Sequence, residues 1–474
     1  MRSLPSLPAT HLIDLVARGD ISALDVTRAH LERIDAVNPR LNAFVDVRAE
    51  QALADARAQD QAAERGVPRG PLGGMPVTIK SAIEVGGLRC ETGSPARAGI
   101  VADRDAVVVA RLRAAGAIVL GTTNVAEMLM AYETDNPLHG RTSHPLADDR
   151  TPGGSSGGEA AAIAAGCSAG GIGSDGGGSV RVPAHFSGIC ALKPTPGRIP
   201  STGHQPPCLG PFAIIGVLGP MARTVGDLVA MFRAVAGDDG ADPAGAPLPI
   251  GSIEPLTLEG LRVGFFESDD YAPVTAETRA AVRGAAAAAA RAGCQVEPAT
   301  LAGLDRAREL WGIFFAGAGR LLLSESLQGA EAGLPILKEY ARDHPAERLT
   351  TAEFIHAWLD RDVVRAEILR QMETHRVVIC PVASVPAFRH GERSWTVDGR
   401  TVRYLEAMSY TQWFNILGFP AVVVPAGRSP EGLPIGVQIA GRPYEEELVL
   451  AVAAAVERGC AGLTEGRSPF PLRP

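Results

Sequence analysis

The 474-residue chain lacks the features that would tie it to a membrane, a nucleic acid or an oxidising compartment. Its seven cysteines are odd in number, dispersed from Cys90 to Cys460, and form no C-x-x-C pair, so neither a disulfide framework nor a zinc site is expected. No uninterrupted apolar stretch reaches the roughly 18 residues that span a bilayer, and the opening Met1-Arg-Ser-Leu-Pro-Ser-Leu-Pro8 has no apolar secretory core. A formal net charge of −8 excludes nucleic acid as a partner held by a general basic surface, leaving only a local patch open. Internal repeats and a low-complexity tail are missing as well. The expectation is a soluble, cytoplasmic enzyme that uses no metal and no organic cofactor.

What is present is an ordinary globular composition, 46% apolar and 21% charged, with ample material for a core. Helical spacing predicts a helix over Thr10 to Arg18, then a second from Ser22, where Ser22-x-x-Asp25 reads as a capping box and Asn38-Pro39 as the stop. A polar third helix covers Arg48 to Arg65, and this N-terminal region, residues 1–69, reads as a helical layer without chemistry. From Pro71 short apolar strands bounded by glycine alternate with helices: Met75 to Lys80, Ala106 to Ala115, Ala117 to Leu120. Later come Leu261 to Phe266, Ala276 to Ala292, Val377 to Pro381, Ala421 to Pro425 and Gly436 to Ala440. Residues 303–376 read as mostly helical and carry Trp311, Phe314, Phe315, Tyr340 and Trp358. The alternation predicts an α/β fold whose mostly parallel sheet is covered by helices on both faces, with function at strand ends.

Two serines wrapped in glycine, 24 residues apart, carry the chemical signal. The first lies in Gly153-Gly-Ser-Ser-Gly-Gly158, ahead of a helix over Glu159 to Ala165. In isolation such a run is a flexible connector or a phosphate cradle, but the lysine position of a P-loop holds Glu159. The second lies in Asp175-Gly-Gly-Gly-Ser179, where successive N–H groups can converge on a developing anion; Asp175 and Arg181 flank it as a candidate buried charge pair. Serine and oxyanion donors together point to acyl transfer. A nucleophilic serine needs a base. His139, His144, His185 and His204 lie near the two loops in sequence and read as loop or packing residues; Lys80, at a strand end, becomes a base if burial strips its charge.

At these residues the chain resembles the amidase signature family of serine hydrolases. The likeness extends through Gly74-Met-Pro-Val-Thr-Ile-Lys80, the core from Gly153 to Gly197 and Gly219-Pro-Met-Ala-Arg-Thr-Val-Gly-Asp227. It continues in Phe414 to Pro425 and Gly432-Leu-Pro-Ile-Gly-Val-Gln-Ile-Ala-Gly-Arg-Pro-Tyr444. The resemblance implies an α/β/α fold with a large mixed sheet in one domain over 1–474, comprising the N-terminal layer, a catalytic core over 70–240 and a C-terminal part over 241–474. It also implies a Ser-Ser-Lys triad in which Ser179 is the nucleophile, Ser155 the bridging serine behind a cis peptide bond, and Lys80 the base. Gly176, Gly177 and Gly178, with Ser179, match the oxyanion hole; Ser156, Asp175 and Arg181 match supporting positions.

Within the family, the stretch from Thr123 to Gly140 is similar to the fatty acid amide hydrolase branch, which places Met128, Leu129 and Met130 on the acyl side of the pocket; simple core packing is the other reading of each. The glutaminase-like component of the aminoacyl-tRNA amidotransferase is the alternative, but Val182 and Asp175-Gly-Gly-Gly178 depart from its pattern. The aromatics between Trp311 and Phe414 fit an apolar acyl or aryl pocket, although most must be core. A stand-alone amidase for small to medium apolar carboxamides is expected, with esterase side activity and a homodimer as the family's common assembly. An inactive structural relative is disfavoured because the three triad positions are intact.

Overall fold

The structure, a computed structural model, describes residues 3–253, 256–319 and 349–464; Tyr340 and part of the expected helical region lie outside them. Among the described residues the strands are, in chain order, β1 (Phe44–Val47), β2 (Pro76–Lys80), β3 (Ile118–Thr123), β4 (Gly170–Asp175), β5 (Cys190–Lys193), β6 (Val217–Ala222) and β7 (Arg262–Phe265). They continue with β8 (Gln295–Pro298), β9 (Val377–Pro381), β10 (Ser394–Val397), β11 (Arg400–Arg403), β12 (Ala421–Arg428) and β13 (Pro434–Gly441). A separate hairpin pairs β10 with β11, and the others form an 11-stranded sheet in the order β1-β3-β2-β4-β6-β5-β12-β13-β9-β7-β8.

The sheet is mixed, and the expectation that it is mostly parallel is corrected. Only β2 with β3 and β4, and β7 with β8 and β9, run parallel; the remaining six of ten neighbouring pairs are antiparallel. A continuous apolar run such as Ala421-Val-Val-Val424 reports burial on both faces and is blind to direction, which is why the pattern misleads. Side chains alternate between two cores along each strand. Val422 and Val424 of β12 and Val377 and Ile379 of β9 pack into one cluster with Leu450, Val452 and Val456 of the helix Glu446–Thr464. Ala421 and the β9 residues Val378 and Cys380 face a second cluster with Trp311, Trp413 and Phe419.

The N-terminal segment is more than a helical layer. Its helices span Ala9–Arg18, Ala23–Leu41 and Ala49–Glu64, and between the last two β1 adds an antiparallel edge strand to β3. The second helix runs through Pro39 into Leu41 and ends at Asn42, whose φ of 51° is left-handed. A proline in the final turn forfeits one backbone bond without blocking the turn's geometry, so Asn42 rather than Pro39 stops the helix. At the other end Ser22 Oγ accepts the Asp25 N–H at 2.9 Å, while the Asp25 carboxylate takes the serine hydroxyl at 2.7 Å. This is a serine N-cap without the reciprocal half of a capping box. The N–H groups of Ala23 and Leu24 are held instead by Asp60, at 3.0 Å each.

Trp413 is 1% exposed in the second of these clusters. Trp413→Ala is expected to lower the unfolding free energy by about 3–5 kcal/mol, read as a shifted urea midpoint; an unchanged midpoint contradicts its placement in the core.

Candidate active site

Because β2 and β4 are parallel neighbours, their carboxyl ends deliver Lys80 and Asp175 to the same edge of the sheet. Lys80 is completely buried, and its Nζ donates to Ser155 Oγ at 2.7 Å and Ser174 Oγ at 3.0 Å, with Ser174 O at 3.3 Å. Burial lowers its pKa to about 7 against the opposing pull of Asp175 and Glu159. Glu159 lies buried beside the same strand. Its carboxyl accepts Thr123 Oγ1 at 2.8 Å and Thr78 Oγ1, and burial raises its pKa to about 7.

The first glycine-serine loop is neither a connector nor a cradle. Residues 151–165 are buried throughout, and the Gly154–Ser155 peptide is cis, as the family resemblance implies. Ser156 ties the two loops together: its N–H donates to Ser179 O at 3.2 Å and its hydroxyl to Ser174 O at 3.3 Å.

The second loop hangs on one ion pair. Arg181 and Asp175 are both fully buried, joined at 3.0 Å through Nε and Nη2. Although burial alone would push the Asp175 acid up, Arg181 and then Lys193 and Asn415 hold it well below the usual carboxylate range. The carboxylate also accepts the N–H groups of Gly178 at 2.7 Å and Val180 at 3.1 Å. Asn415 Nδ2 donates to it at 2.9 Å, and Arg181 extends to Asn415 Oδ1 at 2.5 Å and Gln438 Oε1 at 3.2 Å. Behind Ser179 the chain enters a helix, Arg181–Ser187; Pro183 sits in its first turn, which needs no N–H from it.

This network decides which amides remain for an anion. Trp311 Nε1 donates to Gly176 O at 2.8 Å, and Gly177 O accepts from Tyr132 OH at 2.8 Å and Thr411 Oγ1 at 2.6 Å. In a trans peptide the following N–H points opposite to its carbonyl, so pinning Gly176 O fixes the direction of the Gly177 N–H. The N–H groups of Gly176, Gly177 and Ser179 make no hydrogen bond among the described residues. Gly178 does not fit as an oxyanion donor, because its N–H is taken by Asp175. Its part is conformational: φ is +126°, and a Cβ there would lie 2.4 Å from Thr411 Oγ1.

Ser155, Ser174, Asp175, Gly176 and Ser179 line one cavity of about 530 Å³. The Ser179 hydroxyl has no hydrogen-bond partner among the described residues, so the Ser155 and Ser179 hydroxyls share the cavity without a bond closing the pair. Met128, Leu129 and Met130 line the same cavity, Met128 and Leu129 at left-handed φ values of 49° and 66°. The conformation is sparsely populated for such side chains and is held in part by the Met128 N–H bond to Thr92 O at 2.8 Å. Of the described aromatics between Trp311 and Phe414 only Phe315 reaches the cavity; Trp311 backs the glycine loop, and Phe314, Trp358 and Phe414 pack in the core. A further part of the lining, from His204 to Phe212, is not anticipated by the sequence. It contains a cis Gln205–Pro206 bond and Cys208, whose thiol burial pushes up to about 12.

Every site residue named from sequence thus falls at or beside this cavity. Of the four histidines, His139 pairs with Glu91 at 2.8 Å, His144 bonds Phe186 O at 2.9 Å, and His185 accepts the Gly436 N–H at 2.7 Å. Only His204 lines the cavity. Ser174, Asn415 and Thr411 escape the sequence reading: Ser174 is one residue from Asp175 and can be found by asking what else a buried lysine must donate to.

The chain matches the sequence profile of the Amidase family over residues 25–450 and belongs to that family. It is an enzyme of amide-bond hydrolysis. An indoleacetamide hydrolase from Bradyrhizobium diazoefficiens is 34% identical over 455 residues, 93% of this chain and 84% of that one. The A subunit of a glutamyl-tRNA(Gln) amidotransferase from Roseiflexus castenholzii is 35% identical over 486 residues, covering 97% and 96%. The solved structure of a 6-aminohexanoate cyclic dimer hydrolase superposes with a TM-score of 0.83 at 30% identity, covering 97% of this chain and 98% of that one.

Arg181→Met strands the Asp175 carboxylate in the interior and is expected to reduce stability by about 3–5 kcal/mol in chemical denaturation. A variant as stable as the parent rules out the ion pair as the loop's anchor.

Proposed function

We propose that the chain hydrolyses small to medium apolar carboxamides to a carboxylate and ammonia or an amine, through an acyl-enzyme on Ser179. The observation that carries this reading is a lysine of lowered pKa bonded to Ser155 at 2.7 Å, beside a free Ser179 hydroxyl in one apolar-walled cavity. Neutral Lys80 takes the Ser155 proton while Ser155 Oγ takes that of Ser179, and Ser179 Oγ bonds to the amide carbon. The carbonyl electron pair moves to oxygen, held by the N–H groups of Gly176, Gly177 and Ser179. Collapse breaks the C–N bond as Ser155 passes its proton to nitrogen and recovers one from Lys80. Water repeats the sequence to release the acid. Ser156, Asp175 and Arg181 position the two loops.

The glutaminase-like reading is the weaker one. Among the described lining residues the only carboxylate, Asp175, is saturated by Arg181 and backbone, and no lysine or arginine side chain lines the cavity to hold the carboxylate of glutamine. Met128, Leu129, Phe212 and Phe315 favour an aliphatic or aryl acyl group. A small-molecule amide is then the only partner the reaction requires. No helix among the described residues is long and apolar enough to cross a membrane.

Ammonia release from aliphatic, aryl and fatty acyl amides and from glutamine tests the reading. Apolar amides are expected to turn over, and Ser179→Ala to lower kcat by at least about a thousandfold; release from glutamine alone transfers the chain to the amidotransferase class. The base must be uncharged, so the active fraction grows as pH rises through the Lys80 value. kcat/KM is expected to climb about tenfold per pH unit below 7 and level off above it. A rate that is flat down to pH 5 eliminates Lys80 as the base.

A further inference from the structure

Ser174 carries the one hydroxyl bonded to Lys80 to which the mechanism gives no part. The residue lines the cavity with Ser155 and Ser179, and its Oγ lies 3.0 Å from Lys80 Nζ with no second hydrogen bond among the described residues. Its backbone is fixed from two sides. β4 sets Ser174 opposite Leu218 of β6, and the Ser174 carbonyl accepts from Lys80 Nζ and from Ser156 Oγ, each at 3.3 Å. Nζ therefore meets three oxygens: the Ser174 carbonyl, the Ser174 hydroxyl and Ser155 Oγ at 2.7 Å.

Counting hydrogens shows what the second hydroxyl decides. An ammonium has three N–H groups and donates to all three oxygens. On losing a proton the amine keeps two N–H groups and gains a lone pair, and that lone pair must face Ser155 if Ser155 is to pass a proton to it. The carbonyl can only accept, so it holds one N–H. The other N–H goes to one of the two hydroxyls. Placed on Ser174 Oγ, it leaves the lone pair directed at Ser155; placed on Ser155 Oγ, it blocks the transfer. Without the Ser174 hydroxyl only the blocking arrangement gives both N–H groups a partner, and a buried donor left unmet is unfavourable.

We propose that Ser174 is a positioning residue whose hydroxyl takes one Lys80 N–H and thereby turns the lone pair of the amine toward Ser155. The inference rests on the reading of Lys80 as the base and adds to it the group that aims it. The titratable groups around Lys80 are Asp175 on β4, Glu159 on the helix Gly157–Ala164, and His204 and Cys208 of the lining segment. Substitution at Ser174 leaves all four in place.

The test is the pH profile of kcat/KM for a primary amide in the parent, Ser174→Ala, Ser174→Cys and Ser174→Thr. Ser174→Ala is expected to lower the plateau by about tenfold or more, because a lone pair aimed at Ser155 now strands an N–H. It also takes one of three acceptors from the ammonium, so the charged form is disfavoured and the acid limb moves to lower pH by about one unit. The deficit against the parent therefore narrows as pH falls, which a general loosening of the site does not produce. Ser174→Cys, whose sulfur is a weak acceptor, is expected to fall between, and Ser174→Thr, which keeps the hydroxyl, to match the parent in plateau and limb. The position of the limb is independent of how much of a preparation is folded, and Ser174→Cys carries the comparison where Ser174→Ala is too slow to profile. Acid limbs at the same pH in all the proteins overturn the Ser174 assignment and leave the amidase reading standing. A parent rate that is flat down to pH 5 overturns the Lys80 reading with it.

Discussion

The buried Asp175–Arg181 pair is the constraint from which the site is built. A loop of three glycines has no side chains with which to hold a shape, and every such residue loses more conformational freedom on ordering than any other type. Asp175 supplies the missing order by binding the N–H groups of Gly178 and Val180 while Arg181 returns across the turn to neutralise it. Gln438 of β13 and Asn415 tie the same pair to the centre of the sheet. Ser179 is thus fixed from beneath by a charge pair and from the side by Ser156, with its hydroxyl left unengaged. The arrangement uses polar groups for position and leaves the hydroxyl proposed to attack free of them.

That division explains the character of the cavity. Behind its lining serines the buried groups are polar and paired, from Lys80 with its two serine hydroxyls to Glu159 with its two threonines. Its walls are thioether, aliphatic and aromatic. Dry walls deepen the desolvation that brings the Lys80 amine down, while the serines give that amine partners it can keep in either protonation state. An acyl group entering the cavity removes further water and strengthens each interaction at the floor.

Much of the catalytic floor is legible in the sequence because it is local. Gly153 to Gly158 and Asp175 to Arg181 are contiguous runs, each with a bland reading alone and pointing to acyl transfer only together. The sheet's connectivity is less legible. Strand direction leaves no mark on a run buried on both faces, so β12 and β13 look like parallel strands, while β5 and β6 go unread as strands and four-residue β1 looks like a link between helices. The wall from His204 to Phe212 is invisible for a different reason. Nothing in its composition announces a pocket; it becomes one only because the backbone of Gly203 to Gln205 bonds to the segment after Lys80. Met128 reads from sequence equally as core and as lining, and it is both: 3% exposed, and on the cavity.

Burial drives the Glu159 acid up and the Lys80 amine down until each titrates at about 7. The two then behave as a coupled pair, whose charged form, carboxylate with ammonium, and uncharged form, acid with amine, contain the same single proton. Exchanging one form for the other alters no net charge in the interior. The strand sets this pairing of opposed charges: Thr78 and Lys80, two residues apart, point toward the same face, so the carboxyl that accepts Thr78 Oγ1 lies on the side toward which the amine projects.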